Sequence, residues 1–221
     1  MDVLPQTLLF IGIIPALVLL FISLKGYDGY YKDKVIFLTF ISGIISGFIS
    51  NLIEWITVNV GILFIILFPI LEQLFKTIIL NISRFHGKKE TVVYGLSLGL
   101  GFGSIFTPFS IIFTNIKSGN DYLVILVAIG SFGIILVHAA TGIAIAYGVY
   151  TYKMSKYLIF SIIGYVPVTA TIFITAFYNI GYLQVILVAY GLILYWYATT
   201  KIMPRILEKN KEDKKSNKKS K

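Results

Sequence analysis

Cysteine is absent from the 221 residues, which excludes disulfides, a thiol nucleophile and thiolate metal sites while leaving the redox compartment open. Charge is scarce as well. Asp, Glu, Lys and Arg make up 13% of the chain, about half the share found in an average soluble domain. There is no basic region ahead of the first apolar run and no small-residue cleavage pattern behind it. Those two features mark a removable leader, so the first run is expected to stay in place as a helix.

What fills the chain instead is apolar: hydrophobic residues account for 57%. They fall into runs of roughly 20, each long enough to cross a hydrocarbon core of about 30 Å. Seven spans are predicted, at 6–24, 35–56, 60–81, 92–115, 122–150, 157–178 and 181–200. A membrane barrel would show short alternating segments, so the expected fold is all-α, a polytopic transmembrane helical bundle of about seven helices. Residues 57–59 and 179–181 leave room only for tight antiparallel connections, and the fifth span is long enough to tilt or to include an interfacial turn.

The basic residues give an orientation. With the amino terminus outside, Lys25, Lys32, Lys34, Arg84, Lys88, Lys89, Lys153 and Lys156 all fall on the cytoplasmic side with the carboxy-terminal tail, and Lys117 falls outside. That is the positive-inside distribution. Residues 1–200 form the membrane domain. Residues 201–221 form a basic tail, expected to be disordered and to lean on anionic lipid headgroups. Its lysines have no interleaved aromatic residues, so no nucleic-acid partner is expected. The expected location is the cell membrane, multi-pass, with the lipid bilayer as the first partner.

The third span carries the residues that fit worst. The stretch "LEQLFKT" places Glu72, Gln73 and Lys76 inside an apolar run, where a charged group costs about 2.5–3.5 kcal/mol on insertion scales. Such residues usually face a cavity or a partner. Glu72 and Lys76 are four apart with the acid first, the favoured order for a pair on one helix face. They either pair with each other or line a polar site.

In the fourth span Gly95, Gly99 and Gly103 recur at a spacing of four, which lets two helix backbones approach closely. Pro108 is expected to weaken the outer half of that span. The fifth holds His138 near its middle, with Thr141 and Gly142 one turn on. Counting about 1.5 Å per residue from the cytoplasmic ends puts Glu72, residues 99–106 and His138 at similar depth, as three helices lining one site would require. Asn51 and Glu54 lie near the outer end of the second span beside Trp55, an interfacial anchor, and Glu54 is expected to be solvated.

The order of these motifs resembles the PrsW-type intramembrane protease family, part of a superfamily with the CAAX prenyl endopeptidases and bacteriocin-processing proteins. That family has Glu-Glu-x-x-Lys on one helix, then Tyr-Gly leading to Gly-Phe-Ala-x-x-Glu-Asn. A helix with His-Ala and a following Gly comes next, and a further His closes the set. Here "PILEQLFK" keeps Glu72 and Lys76, "VVYGLSLGLGFGSIFT" keeps Tyr94, Gly95, Gly101 and Phe102, and "VHAATGIAIAYG" keeps His138, Ala139 and Gly142. Gln73 stands where the second Glu would be, Phe106 and Thr107 replace the Glu-Asn pair, and Ala170 or Thr171 occupies the place of the last His.

The resemblance implies a membrane-embedded site for peptide hydrolysis. In it Glu72 would act as base for a water, His138 would orient that water or bind a divalent metal such as zinc, and Lys76 would stabilise the oxyanion. One carboxylate and one His are too few for the usual three-ligand zinc site, unless Gln73 or a backbone oxygen fills in. The reading expected from the sequence is therefore a multi-pass relative of this family, catalytically silent or impaired, that binds a membrane-embedded peptide segment, a membrane protein or a small ligand. The alternatives are an active intramembrane protease using Glu72 and His138, a transporter or channel with Glu72 and Lys76 on its pathway, and a structural bundle with an incidental pair.

Overall fold

A computed structural model describes residues 10–57, 59, 61–113, 121–178 and 182–207. Among these there is no strand, and the chain is a bundle of helices. In chain order they are α1 (Phe10–Leu24), α2 (Asp33–Thr57), α3 (Leu63–Leu80), α4 (Glu90–Ser104), α5 (Phe106–Phe113), α6 (Asp121–Tyr150), α7 (Met154–Tyr178) and α8 (Leu183–Tyr197). Six stretches are long and apolar enough to cross a membrane, with α4 and α5 counted together as Glu90–Ser110. The remaining expected span, the first, corresponds to α1, an apolar helix of 15 described residues. Its predicted start, the connection at 179–181, Lys117 and the tail beyond residue 207 lie outside the described residues.

α4 forms the axis of the bundle. It packs against α1, α2 and α6, and every residue from Thr91 to Ser104 is buried. A helix enclosed on all sides needs small residues where its neighbours' backbones approach, because the attraction between helices in lipid comes from close packing and interhelical hydrogen bonds. Gly95 and Gly99 supply that room towards α6, where they face the backbones of Gly142 and His138, and Gly101 supplies it towards the Phe40 backbone of α2. The four-residue spacing read from the sequence is the α4–α6 seam.

Hydrogen bonds fix the register of these contacts. The Ser97 hydroxyl donates to the Ile36 carbonyl of α2 at 2.7 Å. Ser97→Ala is expected to destabilise the protein by about 1 kcal/mol, the net worth of one such bond. Reversible unfolding in mixed micelles measures this, and an unchanged midpoint would show that the bond contributes nothing.

Prolines inside the spans leave carbonyls without their usual donors, and the neighbours answer some of them. Pro69 removes the N–H that would bond to Ile65, and the Thr169 hydroxyl of α7 donates to that carbonyl at 3.1 Å. Pro108 acts on α4 as expected: its ring crowds the carbonyl of Ser104, four residues earlier, and the helix breaks at Ile105 before resuming as α5. The fifth predicted span is one continuous helix of 30 residues, with no interfacial turn.

At the other end, a π-helical turn over Ala198–Ile202 continues α8. Ile202, Met203 and Ile206 are buried in the main apolar cluster, so the packed body reaches past the expected limit at residue 200. Large apolar side chains are exposed along α1, α2, α7 and α8, among them Phe21, Phe37, Ile163 and Ile193. In a bilayer these faces meet lipid.

Candidate functional site

The depth argument made from the sequence places Glu72 on α3 and His138 on α6 at one level, and the structure brings them together. His138 Nε2 lies 3.9 Å from Glu72 Oε1, and both side chains are 2% exposed. Phe102 of α4 stands beside them, its ring centroid 4.7 Å from that of His138. Four helices thus converge on one buried cluster, since Tyr165 of α7 also enters it with its hydroxyl 2.8 Å from His138 Nε2.

Lys76 shares the helix face with Glu72, yet its ammonium turns the other way. It donates to Gln73 Oε1 at 3.0 Å and to Thr141 Oγ1 of α6 at 2.8 Å. The rings of Phe102 and Tyr165 lie below it, 5.1 and 5.5 Å from Nζ to the centroids, a placement that stabilises a cation. No ion pair joins Glu72 to Lys76 among the described residues. The i, i+4 spacing brings the two Cβ atoms to one face, but the long lysine chain reaches across to α6 while the shorter acid meets α2 and α7.

The acid is held from the other side. Ser50 of α2 donates to Glu72 Oε1 at 3.5 Å, and the Tyr165 hydroxyl is also within hydrogen-bonding reach of the Glu72 carboxyl. Three polar atoms of the cluster are buried with no hydrogen-bond partner: Glu72 Oε2, Gln73 Nε2 and His138 Nδ1. Since Nδ1 has no partner, the arrangement that pairs the other groups puts the ring proton on Nε2, donating to the Tyr165 oxygen, while Tyr165 donates to Glu72.

One expectation is corrected. Glu54, placed in solvent by its position near Trp55, is buried at 8% exposure and close enough for its charge to act on Glu72 and Tyr165. Ser50, Asn51 and Glu54 occupy one face of α2 and all are buried, so this face is turned into the bundle. A signal was present, because positions i, i+1 and i+4 form a polar stripe on a helix. The adjacent Trp55 pointed outward and is exposed. Tyr165 gave no comparable signal in its apolar run. The contribution of α7 to the cluster comes from Tyr165, and Ala170 and Thr171 are only half-buried further along.

The donor set does not fit a metal. Among the described residues no group of three His, Cys, Asp or Glu side chains is placed to hold one, and a catalytic zinc needs three protein ligands. The chemistry available is that of proton donors and acceptors: two carboxyls, an imidazole, a phenol and an ammonium. Outside the cluster, a lateral cleft of about 440 Å³ opens among α1, α5, α6 and α8. Its lining is apolar apart from Thr107, and includes Ile11, Pro15, Phe132 and Ile135. The chain matches no described protein family, no curated protein and no solved structure.

Proposed function

We propose that this multi-pass membrane protein is a relative of the PrsW-type intramembrane proteases whose hydrolytic site is impaired, and that it binds a membrane-embedded peptide segment or small ligand. The observation that carries the reading is the environment of Phe106. Its ring packs against the apolar cluster of Ile134, Val137, Tyr165, Val168 and Leu187, on the wall beside the polar site. The resemblance expects an acid at this position. Gln73 supports the same reading, since an amide there serves as acceptor for Lys76 and cannot act as a carboxylate base.

The lateral cleft supplies the binding surface. Ile135 in its lining lies one turn from His138, and Thr107 adjoins Phe106, so an apolar segment lying in the cleft runs along the helices that carry the polar cluster. We place the amino terminus outside and the tail in the cytoplasm. This orientation is supported by the connections α1–α2, α3–α4 and α6–α7, which carry the basic residues and share one end of the bundle. The membrane in question would be the cell membrane, with anionic headgroups facing the basic tail.

The test is cleavage of transmembrane peptides by full-length protein in detergent, with native chain and Glu72→Gln side by side. The expected result is the same peptide profile from both, with no product above a protein-free control. Products formed by the native chain and lost in Glu72→Gln would instead establish an active protease. One observation favours that second reading: Glu54 of α2 is a second buried carboxyl within electrostatic reach of Glu72, and peptide hydrolysis uses both a general acid and a general base.

A further inference from the structure

The end of the bundle that carries the basic connections holds a second polar feature, independent of the buried cluster and of the function proposed above. A cavity of about 510 Å³ opens between the α1–α2 connection and the start of α4, within the range of about 300–1,000 Å³ typical of small-molecule sites. The stretch "GYDGYYK" builds one wall. Gly26 and Gly29 take φ angles of 86° and 80°, which glycine adopts without strain, and the turn they make leaves Asp28, Tyr30 and Tyr31 lining the cavity. The start of α4 supplies the other wall. The two are tied together, because the Lys32 backbone N–H donates to the Tyr94 hydroxyl at 3.2 Å. The Tyr94 ring is in turn packed against Phe85, with 5.7 Å between centroids.

The charges of the lining are balanced: Lys32 and Lys89 bring two cations, Asp28 and Glu90 two anions. A bare phosphate would suit the lysines but face both carboxylates, and a bare amine would meet the opposite conflict. A ligand that carries both charges satisfies both pairs. Its phosphate would accept charge-assisted bonds from the lysine ammoniums, which stand at the positive ends of α2 and α4. Its amine would lie against the carboxylates, with tyrosine rings as further cation-binding faces. Lipid-facing surface adjoins the connection on both sides, since Phe21 in the last turn of α1 is 69% exposed and Phe37, one turn into α2, 64%. Acyl chains attached to such a ligand have apolar surface to follow, which favours a membrane lipid over a soluble aminoalkyl phosphate.

We propose that this cavity binds the zwitterionic headgroup of a membrane phospholipid of the ethanolamine type, with Lys32 and Lys89 on the phosphate and Asp28 and Glu90 on the amine. The carboxylates choose between the common zwitterions. Ionised Asp28 and Glu90 are acceptors only, and a primary ammonium has N–H groups to give them, whereas the quaternary ammonium of choline has none. This site differs from the contact expected of the basic tail, which any anionic headgroup would satisfy. Here the two acids discriminate against a headgroup that brings negative charge alone. A lipid seated in the cavity joins the α1–α2 connection to the start of α4, the helix at the centre of the bundle.

Native mass spectrometry of the full chain in maltoside detergent tests the site, with dioleoyl phosphatidylethanolamine and dioleoyl phosphatidylglycerol supplied in equal amounts. The native chain is expected to retain the ethanolamine lipid about tenfold better, the worth of one hydrogen bond to a charged group. The Lys32→Ala, Lys89→Ala variant should lose that retention, and the Asp28→Asn, Glu90→Gln variant should move the preference towards the glycerol lipid. Equal retention of both lipids by the native chain, or a preference that ignores either pair of substitutions, would overturn the proposal. Asp28 is exposed, so Asp28→Asn alone reads the same shift if the double variant is not monodisperse. Free phosphoethanolamine separates the two sources of this chemistry. Its failure to displace the bound lipid at equal concentration is the expected result, and displacement would assign the cavity to a soluble aminoalkyl phosphate and overturn the lipid.

Discussion

Replacing Gly99 by valine is expected to destabilise the protein by about 3 kcal/mol, at the upper end of what overpacking a well-packed interior costs. The reason lies in the α4–α6 seam. A Cβ built on Gly99 would stand 2.8 Å from the carbonyl carbon of His138 and 2.9 Å from Cα of Ala139. Both are backbone atoms and cannot rotate aside, so the helices must separate. Separation would also disturb the approach of His138 to Glu72 on α3 and Tyr165 on α7. The same substitution should therefore weaken both the fold and the polar cluster. Thermal unfolding in micelles reads the first effect. The chemical shifts of the His138 ring, assigned against His138→Gln, read the second. Native-like values for both would mean that the seam is looser than its geometry shows.

The seam was legible in the sequence because glycines at a spacing of four state a backbone contact, and the helical class followed from the length of the apolar runs. The convergence of Glu72 with His138 was legible too, since depth in a membrane is nearly a count of residues. Rotation about each helix axis was harder to read. Glu54 was assigned to solvent by the neighbouring Trp55, although Ser50, one turn before it, already marked its own face as polar. Lys76 illustrates a further limit. Sequence spacing fixes where a side chain starts, whereas the direction of a long flexible chain depends on which acceptors the neighbouring helix offers, and here α6 offers Thr141.

That choice of partner yields the second large effect. Thr141→Val keeps the shape of the side chain but removes the hydroxyl, leaving the Lys76 ammonium with Gln73 Oε1 as its remaining oxygen partner among those described. Losing a hydrogen bond to a charged group costs about 2 kcal/mol, and the loss of the hydroxyl's own bonds to the Val137 and His138 carbonyls adds little, because those carbonyls already serve the helix. In a Lys76→Met background there is no ammonium to leave unserved, so the cost of Thr141→Val should fall below half its native value. A cycle of the four proteins isolates that coupling. A parallel cycle between Lys76→Met and Glu72→Gln should show the smaller coupling, because no direct ion pair joins those residues. If the Glu72 cycle instead gives the larger value, Lys76 acts mainly as the counter-charge of Glu72, and the path from α3 to α6 through Thr141 is incidental to the stability of the cluster.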